Sequence, residues 1–77
     1  MKVTVRVFGA LKRFLPGKAE TVTVDVAEGT TVDALVRSYN IPDEEVWIVT
    51  VNGTKALPLQ LVREGDEVAI FSPVGGG

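Results

Sequence analysis

Residues 30–42 read TTVDALVRSYNIP, and this stretch decides the fold class. Its apolar residues, Val32, Leu35, Val36 and Tyr39, recur at the spacing of one helix face. Thr30 and Thr31 offer an N-cap, with Asp33 in the place of a capping-box acid. Pro42 prevents the helix from continuing. We therefore predict one amphipathic helix of about nine residues.

Two segments before this helix have the alternation of strands. In residues 3–8 and 21–26, every second residue is valine, which is the period of a half-buried strand. Between them, residues 10–15 predict one irregular or helical turn, and Pro16-Gly17 reverses the chain. These features predict an antiparallel pair of strands with a long connection.

Three strands are predicted after the helix. Residues 46–51 are nearly all β-branched or aromatic, and we expect a strand buried on most of both faces. Asn52-Gly53 predicts a tight hairpin turn into a short strand near residues 55–57. A last strand covers residues 67–71, and Pro73 prevents further ladder bonding.

The order of these elements indicates one small domain of the α+β class. The chain is too short for a parallel doubly wound sheet. The simplest packing lays the helix on one face of a mixed sheet of about four to five strands, with the first and last strands adjacent and parallel. This arrangement is the β-grasp, or ubiquitin-like, fold. We assign residues 1–71 to the domain and residues 72–77 to a flexible C-terminal tail.

The composition excludes most self-contained catalysts. The 77 residues include no cysteine and no histidine, which removes disulfides, thiolate or imidazole metal ligands and a histidine base. The net charge of −2 gives the chain as a whole no net attraction to nucleic acid or an anionic membrane. Acidic clusters at residues 43–45 and 64–67 lie at turns, where acidic residues are ordinary, and lack EF-hand spacing. No signal peptide or membrane span is recognisable, so we expect a cytoplasmic protein that binds no metal.

The first third of the chain is basic. Lys12, Arg13 and Lys18 lie near two aromatic residues, Phe8 and Phe14. Such a group can contact phosphates while a ring stacks on a base. We favour an ordinary solvated turn, because the net charge is negative and aromatic residues are few. A surface that steers an acidic protein partner is a third interpretation, which requires no net positive charge.

The chain ends in three glycines. Residues 72–77 can reach about 20 Å from the sheet when extended, and glycine contributes nothing to a core. A frayed end or a cloning remnant is the ordinary explanation. However, the glycines follow the last strand almost directly, and Pro73 stiffens the base of the arm. A narrow channel in another enzyme can admit such an arm, and its reactive group is then the terminal carboxylate of Gly77.

The chain resembles the ubiquitin-like sulfur carriers, a family that includes the small subunit of molybdopterin synthase and the thiamine-thiazole sulfur carrier. The similarity extends over essentially the whole sequence. Its segments are residues 3–8 and 10–15, the Val51-Asn52-Gly53 hairpin, residues 64–71 and the terminal Gly76-Gly77. The tail FSPVGGG, residues 71–77, resembles the molybdopterin branch, although Ser72 replaces a proline of that branch and Gly75 takes its variable place.

This resemblance implies a carrier that is not itself an enzyme and holds no cofactor. A ubiquitin-activating-type enzyme would use ATP in trans to adenylate Gly77, and a sulfur donor protein would convert it to a thiocarboxylate. The tail entering the partner channel would comprise Pro73, Val74, Gly75 and Gly76. The acceptor would be the large subunit of molybdopterin synthase or an equivalent enzyme.

Several alternatives remain open from the sequence. The same chain can serve thiamine thiazole or another sulfur pathway, or act as a ubiquitin-like modifier conjugated through the same glycine. A plain interaction domain with an inert tail is a third class. We expect partners to dock on the sheet face away from the helix, where Phe8 and Phe71 can lie together; core filling by these two rings is the competing interpretation.

Overall fold

The computed structural model describes residues 1–73 of the chain. Within these residues there are one five-stranded sheet, one α-helix and three short 3₁₀ segments. The strands are β1 (Lys2–Val7), β2 (Thr21–Asp25), β3 (Ile48–Val51), β4 (Thr54–Lys55) and β5 (Glu67–Phe71), and the helix is α1 (Val32–Arg37). The 3₁₀ segments are Gly9–Phe14, Pro16–Lys18 and Asp43–Glu45.

The sheet has the order β2-β1-β5-β3-β4. β1 pairs antiparallel with β2, and it pairs parallel with β5 on its other side. In the parallel pair Thr4 lies opposite Glu67 and Val7 lies opposite Ile70. The prediction that the first and last strands are adjacent and parallel is confirmed. The segments that follow β1 and β5 therefore leave the sheet at the same edge.

The core lies between one face of this sheet and α1. Alternate residues of each strand share a face, and one set in β1 and β5 is fully buried against the apolar stripe of the helix. Each such aliphatic side chain contributes roughly 1.5–3 kcal/mol by leaving water. The buried set comprises Val3, Val5, Val7, Val68 and Ile70 from the strands and Val32, Leu35 and Val36 from the helix.

The helix is shorter than predicted, and its N-cap is the second of the two threonines that the sequence offered. Thr31, not Thr30, is the N-cap, and its hydroxyl oxygen accepts a hydrogen bond from the Ala34 N–H at 3.1 Å. The Thr30 hydroxyl donates to the Ala27 carbonyl instead. The expected capping box is therefore wrong. Six residues are α-helical, because Asn40 at φ 60° turns the chain into the left-handed region soon after the last turn.

A loop from the other half of the chain completes the helix N-terminus. The Val32 N–H donates to the Gln60 carbonyl at 2.8 Å, and the Asp33 N–H donates to the Pro58 carbonyl at 2.9 Å. These are two of the amides that an α-helix cannot satisfy internally. The contact fixes where α1 begins and holds the segment before β5 against it.

The third strand differs from its prediction. β3 begins at Ile48, and of its residues only Val51 is buried. Trp47, just before it, is 66% exposed. The second face of the sheet carries exposed or half-buried side chains, so a run of β-branched residues did not signify burial on both sides. The hairpin turn is confirmed, with Asn52 at φ 53° and Gly53 at φ 86°, as a tight type I′ turn requires.

Candidate functional site

The sheet face away from α1, here called the open face, is built from the residues that alternate with the core. Arg6 lies opposite Ala69 across the parallel pair, and Ile48 lies opposite Phe71 across the antiparallel pair. All of its central members are exposed or half-buried. From β1, β3 and β5 they are Thr4, Arg6, Ile48, Thr50, Glu67, Ala69 and Phe71.

The two aromatic residues of the open face are in contact at the edge of the sheet where β1 and β5 end. The ring centroids of Phe8 and Phe71 are 4.6 Å apart, and the ring planes are inclined by 25°. Phe8 follows β1 with an extended backbone, so its side chain projects to the same face as Arg6. Both rings are half-buried. The predicted proximity is present, whereas the role of the two residues in docking stays a prediction.

An ion pair lies next to this aromatic stack. The Arg6 guanidinium and the Glu67 carboxylate are 3.0 Å apart, and each side chain is nearly half exposed. Arg6 reaches diagonally across the parallel pair, because the residue directly opposite is the small Ala69. An exposed pair of this kind adds less than about 1 kcal/mol to stability. Its chemical contribution is a donor and an acceptor beside an apolar surface.

The tail begins where the ladder ends. The Trp47 N–H donates to the Phe71 carbonyl at 2.7 Å, and β5 ends at Phe71 as predicted. Pro73 is exposed and lies in a bend, and it has no N–H with which to extend the ladder. The remaining predicted tail residues, Val74, Gly75, Gly76 and Gly77, lie outside the described residues. Their roles, including that of Gly77, stay predictions.

The basic segment after β1 lies at the same edge of the sheet. Arg13 pairs with Glu45 at 3.1 Å, donates to the Ala10 carbonyl at 2.8 Å, and stacks its guanidinium 4.4 Å from the Phe14 ring centroid. These three contacts hold Arg13 in place. Lys12 and Lys18 are exposed, and no ion pair within residues 1–73 involves either of them.

Among the acidic residues, Asp66 has a structural role. Asp66 is 9% exposed, and its two carboxylate oxygens accept hydrogen bonds from the Asn52 side chain at 2.9 Å and the Arg63 N–H at 2.8 Å. Among residues 1–73 no three acidic side chains lie close enough to hold a metal ion together. The network instead ties the β3–β4 turn to the beginning of β5.

A shallow groove of about 250 Å³ lies on the helix side of the sheet, between α1 and the β3–β4 hairpin. Val36 and Trp47 supply apolar walls, and Arg37 lies at the rim. The hydrogen bond from Arg37 to Asp33, followed by the charges of Asp33 and Asp43, raises the pKa of that guanidinium. Sequence reasoning missed this groove because it placed Trp47 in a buried strand and predicted a helix of about nine residues, longer than the six observed.

The sequence model of the ThiS family matches residues 5–77, nearly the whole chain. The chain belongs to the ThiS family. The prediction of a ubiquitin-like sulfur-carrier family member is thus confirmed. No curated protein sequence matches the chain. Within residues 1–73, no helix has the length and apolarity needed to cross a membrane.

Solved structures share the fold of this ThiS-family chain. SAMP1 from Haloferax volcanii is 29% identical over 100% of both chains, with a TM-score of 0.74. A second structure, of the H. volcanii small archaeal modifier protein 1, is 23% identical over 94% of this chain and 97% of that one, with a TM-score of 0.77. A molybdopterin converting factor subunit 1 from Pyrococcus furiosus is 21% identical over the same shares, with a TM-score of 0.76. The β-grasp prediction is confirmed.

Proposed function

We propose that this protein is a sulfur carrier whose Gly77 carboxylate is adenylated and thiocarboxylated in trans, and that it then donates the sulfur during molybdopterin synthesis. The observation that carries the proposal is the match to the ThiS family, which extends through Gly77. The point where the tail begins supports it, because the chain leaves β5 at Phe71 beside a half-buried aromatic stack.

The chemistry needs one activated carboxylate. An oxygen of the Gly77 carboxylate attacks the α-phosphorus of ATP and releases pyrophosphate, which leaves an acyl-adenylate. The terminal sulfur of a protein persulfide attacks the carbonyl carbon and expels AMP, and a thiol then reduces the resulting acyl disulfide to the thiocarboxylate. This sulfur is a better nucleophile at neutral pH than the oxygen that it replaces. Every protein group that moves a proton or binds ATP belongs to the activating enzyme.

The carrier itself contributes a docking surface and a tail that can enter a channel. Gly75, Gly76 and Gly77 have no Cβ, so the arm can pass through a channel too narrow for side chains. Phe8 and Phe71 offer a partner an apolar surface at the point where the arm begins. Members of this family generally act without catalytic groups of their own.

The tail sequence favours molybdopterin as the product. The segment from Phe71 to Val74, FSPV, resembles the tail of molybdopterin synthase small subunits, and the large subunit of that synthase is then the acceptor. Thiamine thiazole and other sulfur pathways use the same activated glycine. Reconstitution with each candidate acceptor separates them, because only one acceptor will remove sulfur from the thiocarboxylated carrier at a useful rate.

The proposal is tested by intact mass. Incubation with the adenylating enzyme of the same genome, ATP and a persulfide donor should raise the mass by about 16 Da, the difference between sulfur and oxygen. Deletion of Gly77 should abolish the gain, whereas Gly75→Ala, which keeps the terminus, should retain part of it. An unchanged wild-type mass with a correctly paired enzyme overturns the proposal.

A second candidate is a protein modifier that forms an isopeptide bond through the same glycine. The match to SAMP1, 29% identical over the full length of both chains, favours it. Both functions begin with the same adenylation, so the products must separate them. Recovery of the chain linked to lysines of other proteins, with the linkage lost on Gly77 deletion, supports the modifier; recovery of free carrier alone supports the sulfur carrier.

A further inference from the structure

Two lysines lie at the edge of the sheet from which the tail emerges. β1 and β5 are parallel, so the segment after β1 and the segment after β5 start at the same edge. The stacked rings of Phe8 and Phe71 join these two starting points. Lys12 and Lys18 belong to the 3₁₀ segments that follow β1. Both lysines therefore belong to the connection at the edge of the sheet where β5 ends.

These two charges are available to a partner. The neighbouring Arg13 is occupied by Glu45, the Ala10 carbonyl and the Phe14 ring. Lys12 and Lys18 are exposed and form no ion pair with the rest of residues 1–73. Charges left free in water contribute little to stability. They do contribute long-range attraction to an oppositely charged surface.

The aromatic contacts argue against nucleic acid as that partner. Single-stranded nucleic acid binds where basic groups accompany rings that are free to stack on bases. The Phe14 ring is already covered by the Arg13 guanidinium at 4.4 Å, and the Phe8 ring is stacked on Phe71 at 4.6 Å. The overall charge of −2 adds a general repulsion. A protein surface with local acidic charge fits the arrangement better.

We propose that Lys12 and Lys18 steer the carrier onto an acidic rim around the channel of the adenylating enzyme. This orientation places the tail at the opening of that channel. The inference rests on the proposed adenylation of Gly77. An enzyme that receives the tail must face this edge of the sheet, and the adenylating enzyme is the first to do so. Steering of this kind acts on the association rate and weakens as salt increases.

A pair of charge reversals tests the inference. Lys12→Glu combined with Lys18→Glu should lower kcat/KM for pyrophosphate release about tenfold at about 50 mM salt, and less than about twofold at about 500 mM salt. The matched control combines Lys55→Glu with Arg63→Glu, which change the net charge equally on exposed residues away from that edge. The control should stay within about twofold of wild type at both salt concentrations. Melting temperatures verify that both variants are folded. If the Lys12→Glu/Lys18→Glu variant is not folded, the milder Lys12→Gln/Lys18→Gln variant replaces it.

The outcomes are distinct. A salt-dependent loss confined to the Lys12/Lys18 variant supports the inference. Equal losses in both variants overturn it, since net charge alone then explains the lower rate. It is also overturned if the Lys12/Lys18 variant keeps the wild-type kcat/KM with an enzyme that adenylates the wild-type carrier. If the enzyme fails to activate wild type, the proposed function itself fails and the inference with it. Retention of a single-stranded RNA by wild type but not by the Lys12/Lys18 variant, with adenylation unchanged, assigns the lysines to RNA and also overturns the inference.

Discussion

Phe8 and Phe71 stack with their ring centroids 4.6 Å apart, and this contact joins the residue after β1 to the last residue of β5. Two chain segments that lie far apart in sequence thereby share one apolar surface at the root of the tail. The rings are half-buried, so each supports its neighbour and still presents area to a partner. The stack can therefore affect both stability and docking.

Removing the Phe71 ring should weaken both properties. We expect Phe71→Ala to lower the free energy of unfolding by about 1–2 kcal/mol, since an aromatic pair and part of its buried area are lost. Binding to the adenylating enzyme should weaken by more than about tenfold, as for a central aromatic contact. Urea unfolding measures the first effect, and isothermal titration calorimetry measures the second.

The control for this prediction is Val22→Ala. Val22 is a partly buried residue of β2 that packs against the core, and its truncation should reduce stability by a similar amount without affecting binding. If Phe71→Ala leaves binding at the wild-type level, the two rings only fill space, and docking on this surface is refuted.

Asn52 should stabilise the β3–β4 turn in two separable ways. Its side chain donates to Asp66 and accepts from the Glu67 N–H, both at 2.9 Å, while its backbone is at φ 53°. Asn52→Ala should cost about 2 kcal/mol, because the hydrogen bonds are lost and alanine disfavours this φ. Asn52→Gly should cost only about 1 kcal/mol, since glycine tolerates the conformation. Equal losses in urea unfolding would show that the backbone conformation adds nothing.

The parts of the fold that were predictable are those set by local pattern. The period of two in residues 3–8 located β1 and its core face, and the turn pair Asn52-Gly53 located the hairpin. Residues 67–71 are β5 with the predicted bounds. Given parallel first and last strands, the proximity of Phe8 and Phe71 also followed from position alone.

The parts that were not predictable depend on tertiary contact. Exposure of Trp47 depends on how far α1 extends over the sheet, and nothing within residues 46–51 encodes that length. The position of Arg13 depends on its ion pair with Glu45, a residue of the connection between α1 and β3. The choice between Thr30 and Thr31 as the cap depends on residues 58–60, whose carbonyls accept from the first helical amides.

That last choice can be tested by substitution. Thr31→Ala should lower the free energy of unfolding by about 1 kcal/mol, because the Ala34 N–H loses its acceptor. Thr31→Ser should retain most of the stability, since it keeps the hydroxyl. Thermal or urea unfolding provides the comparison. A larger loss from Thr30→Ala than from Thr31→Ala would mean that the cap lies one residue earlier, at the position that a capping box with Asp33 requires.

Tyr39 should make stability fall at alkaline pH. Its ring is half-buried next to the core, and burial raises the pKa of its phenol. At pH values below the ordinary tyrosine pKa of about 10 the phenol is protonated in both states and has no effect on the pH dependence. Above that pH the unfolded chain ionises first, so the free energy of unfolding decreases until the pH passes the folded pKa.

Tyr39→Phe isolates this effect, because it keeps the ring in place and removes the titrating group. Lysines and arginines also titrate at alkaline pH in both proteins, so the informative quantity is the difference between wild type and Tyr39→Phe. That difference should be constant below about pH 9 and should shift in favour of the variant above about pH 10. Since Tyr39 is the only tyrosine, the absorbance of tyrosinate in the native protein reports its pKa directly. Ionisation at the ordinary pKa, or a difference that does not change with pH, would contradict the burial of this phenol.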